Sequence, residues 1–170
     1  MAASTLFRAS AIATFTMALV ACAPFKPKPT IAISRGPNPL HHHGEQAAND
    51  ILFRAIGLVG TPYRHGGNTP DSGFDCSGLV DYVFLDVAGV VLPRTAQDID
   101  HIQAAEIRRD DLASGDLIFF GRRGHITHVG IYVGEGRFVH APNEGGTVRL
   151  DYLDGAYWRD HYAGAKRVAL

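Results

Sequence analysis

The chain is poor in cysteine: its 170 residues hold two, Cys22 and Cys76. Two thiols allow at most one disulfide, so no disulfide framework holds this domain together. A charge surplus is also missing, with 16 Lys and Arg against 17 Asp and Glu and a formal net charge of −1. That balance excludes broad electrostatic binding to nucleic acid or to an anionic membrane face. Arg108-Arg109 and Arg122-Arg123 are short basic pairs that read as solvated loop charges. The largely apolar run from Ala9 to Val20 is too short for a membrane span. The sequence carries no internal repeat, metal-ligand cluster or phosphate-binding loop, so no cofactor or metal is expected. What it does have is 46% hydrophobic and 19% charged residues. Those proportions describe a globular chain long enough for one domain with its own core.

The first twenty-two residues read as an export signal, with one basic residue, Arg8, ahead of the apolar run. Leu19-Val20-Ala21-Cys22 resembles the lipobox of bacterial lipoproteins. The resemblance implies cleavage before Cys22 and lipid attachment to it, hence membrane contact through a lipid anchor. The alternative is an ordinary signal peptide in which Cys22 is incidental. Ala23 stands where an aspartate would signal inner-membrane retention, so the expected location is the outer membrane, facing the periplasm. With Cys22 lipidated, Cys76 becomes the one free thiol in an oxidising compartment. Such a thiol is either reactive or simply buried, and its surroundings decide.

Residues 23–44 read as a tether rich in proline (Pro24, Pro27, Pro29, Pro37 and Pro39). Extended at about 3.1 Å per residue, it would reach roughly 60 Å. His41-His42-His43 at its end matches no closed metal-site spacing. The folded domain is expected over residues 45–170. Ile51, Leu52, Ala55, Ile56 and Val59 recur at helical spacing before Gly60 and Pro62. A turn-rich loop follows, and a second helix is predicted from Cys76, with Leu79, Val80, Val83, Phe84 and Val87 as its stripe and Gly89 as its stop. A short third helix is predicted after Arg94, with Thr95 as N-cap. Strands are predicted at 117–120, 128–133, 137–141, 148–150 and 165–168. Helices followed by a mostly antiparallel sheet give an α+β domain.

Cys76 lies at the predicted start of a helix, where the helix dipole and unpaired N–H groups favour a thiolate. A cysteine nucleophile needs a base and a group to orient that base. His128 and His140 flank the hairpin signal Gly134-Glu135-Gly136. A three-residue loop pairs Val133 with Arg137 and sets His140 opposite Gly130, next to His128 on one face. A register shifted by two sets the histidines directly opposite. Either arrangement holds them within roughly 5–8 Å, whereas a strict two-residue loop would send them to opposite faces. His125, beside Gly124, reads as a rim residue, and His65 in its glycine-rich loop lies within reach of a substrate. His101 and His161 read as surface or packing residues.

Six segments now stand in order: Gly60-Thr61-Pro62-Tyr63-Arg64-His65-Gly66-Gly67, Phe74-Asp75-Cys76-Ser77-Gly78-Leu79-Val80, Leu92-Pro93-Arg94-Thr95-Ala96, Gly115-Asp116-Leu117-Ile118-Phe119-Phe120, His128-Val129-Gly130-Ile131-Tyr132-Val133-Gly134 and Phe138-Val139-His140-Ala141. Together they resemble the NlpC family of bacterial cell-wall cysteine peptidases over about residues 48 to 168. The resemblance implies a trimmed papain-like fold, with Cys76 as nucleophile, His128 as base and His140 as orienting residue. It also implies that Tyr63 lies at the active-site wall. In members that require a free amino terminus, the residues flanking the cysteine help bind that amine, and Asp75 and Ser77 hold those positions here. Helix N-capping is the other reading of Asp75. His65 departs from the family, which often has an aromatic residue there.

The function expected from this resemblance is that of a monomeric peptidoglycan endopeptidase acting on stem peptides. The bond named first joins D-glutamate to a diamino acid, and a cross-link between stem peptides is the alternative. Amide or acyl transfer on the same scaffold, and a non-catalytic wall-binding lipoprotein, are the competing readings.

Overall fold

The computed structural model describes residues 39–143 and 145–170. Cys22, the signal segment and most of the proline-rich stretch lie outside the described residues. The first helix, α1 (Pro39–Gly57), begins inside the segment read as tether, whose residues 39–44 are helical. Pro39 at its start suits a first helical position, which needs no N–H partner. Ile51 and Ala55, one turn apart, are fully buried, and Leu58 follows them into the core.

A loop carrying the short antiparallel pair β1 (Asn68–Thr69) and β2 (Gly73–Phe74) leads to α2 (Cys76–Ala88). The stripe read from sequence is real: Leu79, Val80, Val83 and Phe84 are fully buried. Gly89 ends the helix with φ 67°, the left-handed conformation that glycine adopts without a Cβ penalty, and its N–H bonds to the Leu85 carbonyl. In α3 (Ala96–Asp100) the Thr95 hydroxyl caps the helix by accepting from the Asp98 N–H, as its sequence predicts.

The remaining strands are β3 (Ala105–Glu106), β4 (Leu117–Arg122), β5 (His125–Gly134), β6 (Arg137–His140), β7 (Arg149–Tyr152) and β8 (Tyr162–Arg167), with the short helix α4 (Ala156–His161) before the last. Among the described residues they form one six-stranded antiparallel sheet in the order β3-β8-β4-β5-β6-β7. Strand alternation divides its side chains between two cores. Leu117, Phe119, Val129, Ile131 and Val139 face α1, α2 and α3. Ile118, Phe120 and Phe138 face the other way, toward Leu153 and Trp158 of the α4 region. The buried Asp116 ties the turn before β4 to β8 through Arg167, at 2.7 and 2.9 Å.

The β5–β6 hairpin differs from the predicted loop in a way that preserves its consequence. Its tip is a two-residue turn, Glu135-Gly136, with φ of 52° and 69°. That turn alone would put the two histidines on opposite faces. An extra residue, Val133, interrupts the ladder between Tyr132 and Gly134, and the body of the hairpin pairs Ile131 with Val139 and Tyr132 with Phe138. The bulge thus restores the register in which His140 faces Gly130.

Candidate active site

Cys76 is the first residue of α2, and a network of hydrogen bonds fixes the turn before it. The Asp75 carboxylate caps the helix by accepting from the Gly78 N–H at 2.7 Å. Its second oxygen accepts from the Gly66 N–H at 2.9 Å, pinning the glycine-rich loop. The Ser77 hydroxyl, almost fully buried, donates to the Arg94 carbonyl at 2.7 Å. The Arg94 guanidinium lies against Asp75 at 3.4 Å. Gly78 is required by close approach, because a β-carbon there would sit 2.1 Å from the Gly67 carbonyl oxygen. Asp75 and Ser77, read as contacts for a substrate amine, have polar atoms engaged by the Gly78 and Gly66 N–H groups and by Arg94.

The helix delivers Cys76 to the point where β6 leaves β5. The ladder ends at His140, and the next inward-facing N–H on β5, that of Val129, meets the Cys76 sulfur instead of a strand. Val129 follows His128 in β5, so the strand whose N–H meets the sulfur is the one that carries the first imidazole. His128 Nε2 lies 2.9 Å from His140 Nδ1, with the two rings edge to face. The hairpin arithmetic that brought the histidines to one face therefore holds.

The chain of contacts runs one residue further than the sequence reading. His140 Nε2 lies 3.0 Å from Asp151 Oδ2. The same carboxylate oxygen accepts from Trp158 Nε1 at 2.9 Å and from Arg149 Nη2 at 3.0 Å. The Trp158 ring packs against both imidazoles, 4.7 Å from His140 and 5.3 Å from His128 between centroids. Sequence reasoning missed Asp151, Arg149 and Trp158. The predicted strand 148–150 stopped one residue short of Asp151, and α4 carries no side-chain cap that would announce it. Continuing the strand's alternation from Arg149 would have placed Asp151 on the face of His140, since Arg149 pairs with His140 and Asp151 with Phe138.

Burial dominates the electrostatics. It pushes His128 from 6.5 down to about 3, with the neighbouring His140 and Arg149 adding to the effect. It also brings His140 down to about 4, against the opposing pull of Asp151. Both rings are therefore neutral at neutral pH. The Cys76 thiol is raised above its ordinary value of 9.0, first by desolvation and then by the Asp75 carboxylate. The N–H groups of Val129, Ser77 and Cys76 oppose that rise without cancelling it. The helix start does favour the thiolate, as the sequence indicates, but burial outweighs it. The resting thiol and both imidazoles are therefore uncharged.

Tyr63 sits at the wall of a cleft of about 610 Å³, together with Arg64, His65, Asp71 and Ser72. Its backbone N–H donates to the Gly146 carbonyl at 2.9 Å, and its ring packs on the main core. His65 is exposed on the same cleft, and His125 is exposed at the start of β5.

A helical layer packed on a six-stranded antiparallel sheet defines an α+β domain. Residues 60–167 match the NlpC/P60 family, and the chain belongs to it. It is 47% identical over 127 residues to murein DD-endopeptidase MepH of Escherichia coli, covering 73% of this chain and 47% of that protein. It is 42% identical over 121 residues to the bifunctional muramidase/DL-endopeptidase CwlT of Bacillus subtilis, covering 69% of this chain and 36% of that one. The chain thus spans about half the length, or less, of these curated relatives. Among solved structures it superposes on an NlpC/P60 family protein from Bacillus cereus with a TM-score of 0.68 at 29% identity, covering 72% of this chain and 40% of that one. The NlpC/p60 domain of peptidoglycan hydrolase SagA gives a TM-score of 0.64 at 31% identity, covering 71% and 98%.

Proposed function

We propose that this protein is a cysteine peptidase that hydrolyses amide bonds in the stem peptides of peptidoglycan. The observation that carries the reading is the 2.9 Å contact between His128 and His140 beside a thiol at a helix start. Cys76 is the nucleophile, His128 the base and His140 its orienting partner. The sulfur attacks the scissile carbonyl while its proton passes to His128. The tetrahedral oxyanion is met by the Cys76 N–H, with the Tyr63 hydroxyl as a second donor. His128 then gives the proton to the leaving amine, which departs and leaves a thioester on Cys76. Water, activated by the now neutral His128, releases the acid and restores the thiol. Asp75, Ser77 and Arg94 hold the turn that aims the sulfur.

Two bonds are in contention. The sequence reading names the D-glutamyl–diamino acid bond, the kind of DL bond that CwlT's name describes. The higher identity to MepH, a DD-endopeptidase by name, favours the cross-link between stem peptides. Incubating the purified protein and its Cys76→Ala variant with cross-linked and monomeric muropeptides, with products read by mass spectrometry, separates these readings. Cross-linked dimers converted to monomers support the second bond, and shortened monomers support the first. Equal products from both proteins, or none from the wild type under reducing conditions, reject the peptidase reading. Products extended by an added amine would instead indicate transfer.

The lipid anchor belongs to the same proposal: Cys22 carries the acyl chains, and the protein works as a monomer on the periplasmic face of the outer membrane. Palmitate label lost in Cys22→Ala supports the anchor, and label retained rejects it.

A further inference from the structure

We propose that Asp151 is a positioning residue that sets the tautomers of both imidazoles, leaving the unprotonated nitrogen of His128 free to take the proton of Cys76. The inference rests on the catalytic reading of Cys76, His128 and His140 given above. The argument is one of donor and acceptor capacity. An ionised carboxylate only accepts hydrogen bonds. His140 Nε2, 3.0 Å from Asp151 Oδ2, must therefore carry the ring proton. A neutral imidazole has one N–H, so His140 Nδ1 is a lone pair. His128 Nε2, 2.9 Å from that lone pair, must then be the donor. What remains on His128 is Nδ1, unprotonated and not engaged by His140. The order Asp151, His140, His128 fixes each ring proton by the group before it, and leaves His128 Nδ1 as the acceptor for the thiol proton.

Asp151 is built to remain ionised. Burial alone would raise its pKa, and the hydrogen bonds from Trp158 and Arg149, with His140, outweigh burial and hold the carboxyl below its ordinary value of 3.8. All three donors converge on Oδ2, which fixes the carboxylate in place. The groups facing the relay are Arg149 and Asp151 on β7, His140 on β6, His128 on β5, and Cys76 with Asp75 at the start of α2. Trp158 closes the relay from the α4 side, and His140 is fully buried. Among the described residues, Asp151 is the hydrogen-bond partner of His140 Nε2, so it sets the position of that proton.

The test uses ¹⁵N-labelled protein, with histidine ring nitrogen shifts read by NMR at neutral pH and turnover measured on muropeptides in parallel. Both wild-type rings should show the Nε2–H tautomer. Asp151→Ala removes the acceptor, so His140 should shift toward Nδ1–H or a mixture, and kcat should fall on the order of 10²-fold with KM little changed. Asp151→Asn keeps an amide oxygen, which Trp158 and Arg149 orient toward His140. It should keep the wild-type tautomers and lose less activity than the alanine variant. Near-isosteric, it also keeps the test open if Asp151→Ala does not fold. An Nδ1–H tautomer on wild-type His140 would overturn the proposal. So would wild-type tautomers and kcat in a folded Asp151→Ala variant, or loss of the Nε2–H tautomer in Asp151→Asn. The ring shifts need no substrate, so a protein that cleaves no muropeptide would reject the peptidase reading and still decide the tautomers.

Discussion

Gly130 and His140 face each other across β5 and β6, so closely that a β-carbon on Gly130 would lie 3.3 Å from the His140 β-carbon and 2.7 Å from Phe138 Cδ2. The glycine is what lets a fully buried imidazole sit one step from His128. Gly130→Ala should push Phe138 and His140 aside and cost about 1–3 kcal/mol of stability. Under the proposed mechanism it should also lower kcat, because His140 orients the base. Urea unfolding and turnover check both; a variant matching wild type in each would show that the strands can spread freely here.

The neutral resting thiol has its own signature. Because burial raises Cys76 above 9.0, its alkylation by iodoacetamide should keep accelerating through the alkaline range. Peptide mapping by mass spectrometry assigns the labelled thiol. A rate already flat from about pH 5 to pH 8 would mean a resting thiolate–imidazolium pair and would contradict the electrostatics described here.

Acid should unfold the protein early. His128 and His140, lowered from 6.5 to about 3 and about 4, bind protons more readily unfolded than folded. Their contribution to stability is therefore complete above about pH 6.5 and is lost progressively as the pH falls to about 4 for His140 and about 3 for His128. The depressed carboxyl of Asp151 acts in the same direction at still lower pH. Thermal midpoints at pH 7, 5.5 and 4.5 should fall in that order, and a constant midpoint would refute the assignment.

Asp75→Asn separates two roles for one side chain. Asparagine caps helices about as well as aspartate, so a purely capping Asp75 predicts stability within about 1 kcal/mol of wild type and an unchanged KM. A sharply raised KM confined to substrates with a free amino terminus would instead give the carboxylate a role in binding.

Much of this arrangement could be read from the chain because its signals are local. Cys76 at a helix start, the Thr95 cap, the α2 stripe and the turn residues between β5 and β6 each depend on neighbours a few positions away. The pairing of His128 with His140 needed only a strand period and a loop. The loop itself differs from the predicted one, since a two-residue turn plus the Val133 bulge gives the same register as three loop residues. What stayed hidden depends on distance. Asp151 and Trp158 reach His140 from β7 and α4, and the thiol's resistance to ionisation arises from burial among residues far apart in sequence. The helical start at Pro39 was obscured by proline, which sequence patterns associate with loops although the first turn of a helix accepts it.

Trp158 has a consequence beyond packing. It is the single tryptophan of the chain, and its indole N–H is spent on Asp151 while its ring lies against both imidazoles. Light absorbed at wavelengths where only indole responds is therefore emitted from one place, the inner wall of the site. Protonation of a neighbouring ring, a shift of Asp151 or displacement of water by a bound peptide would each alter that emission. The protein carries a built-in optical reporter, able to follow events at the cysteine without any added label.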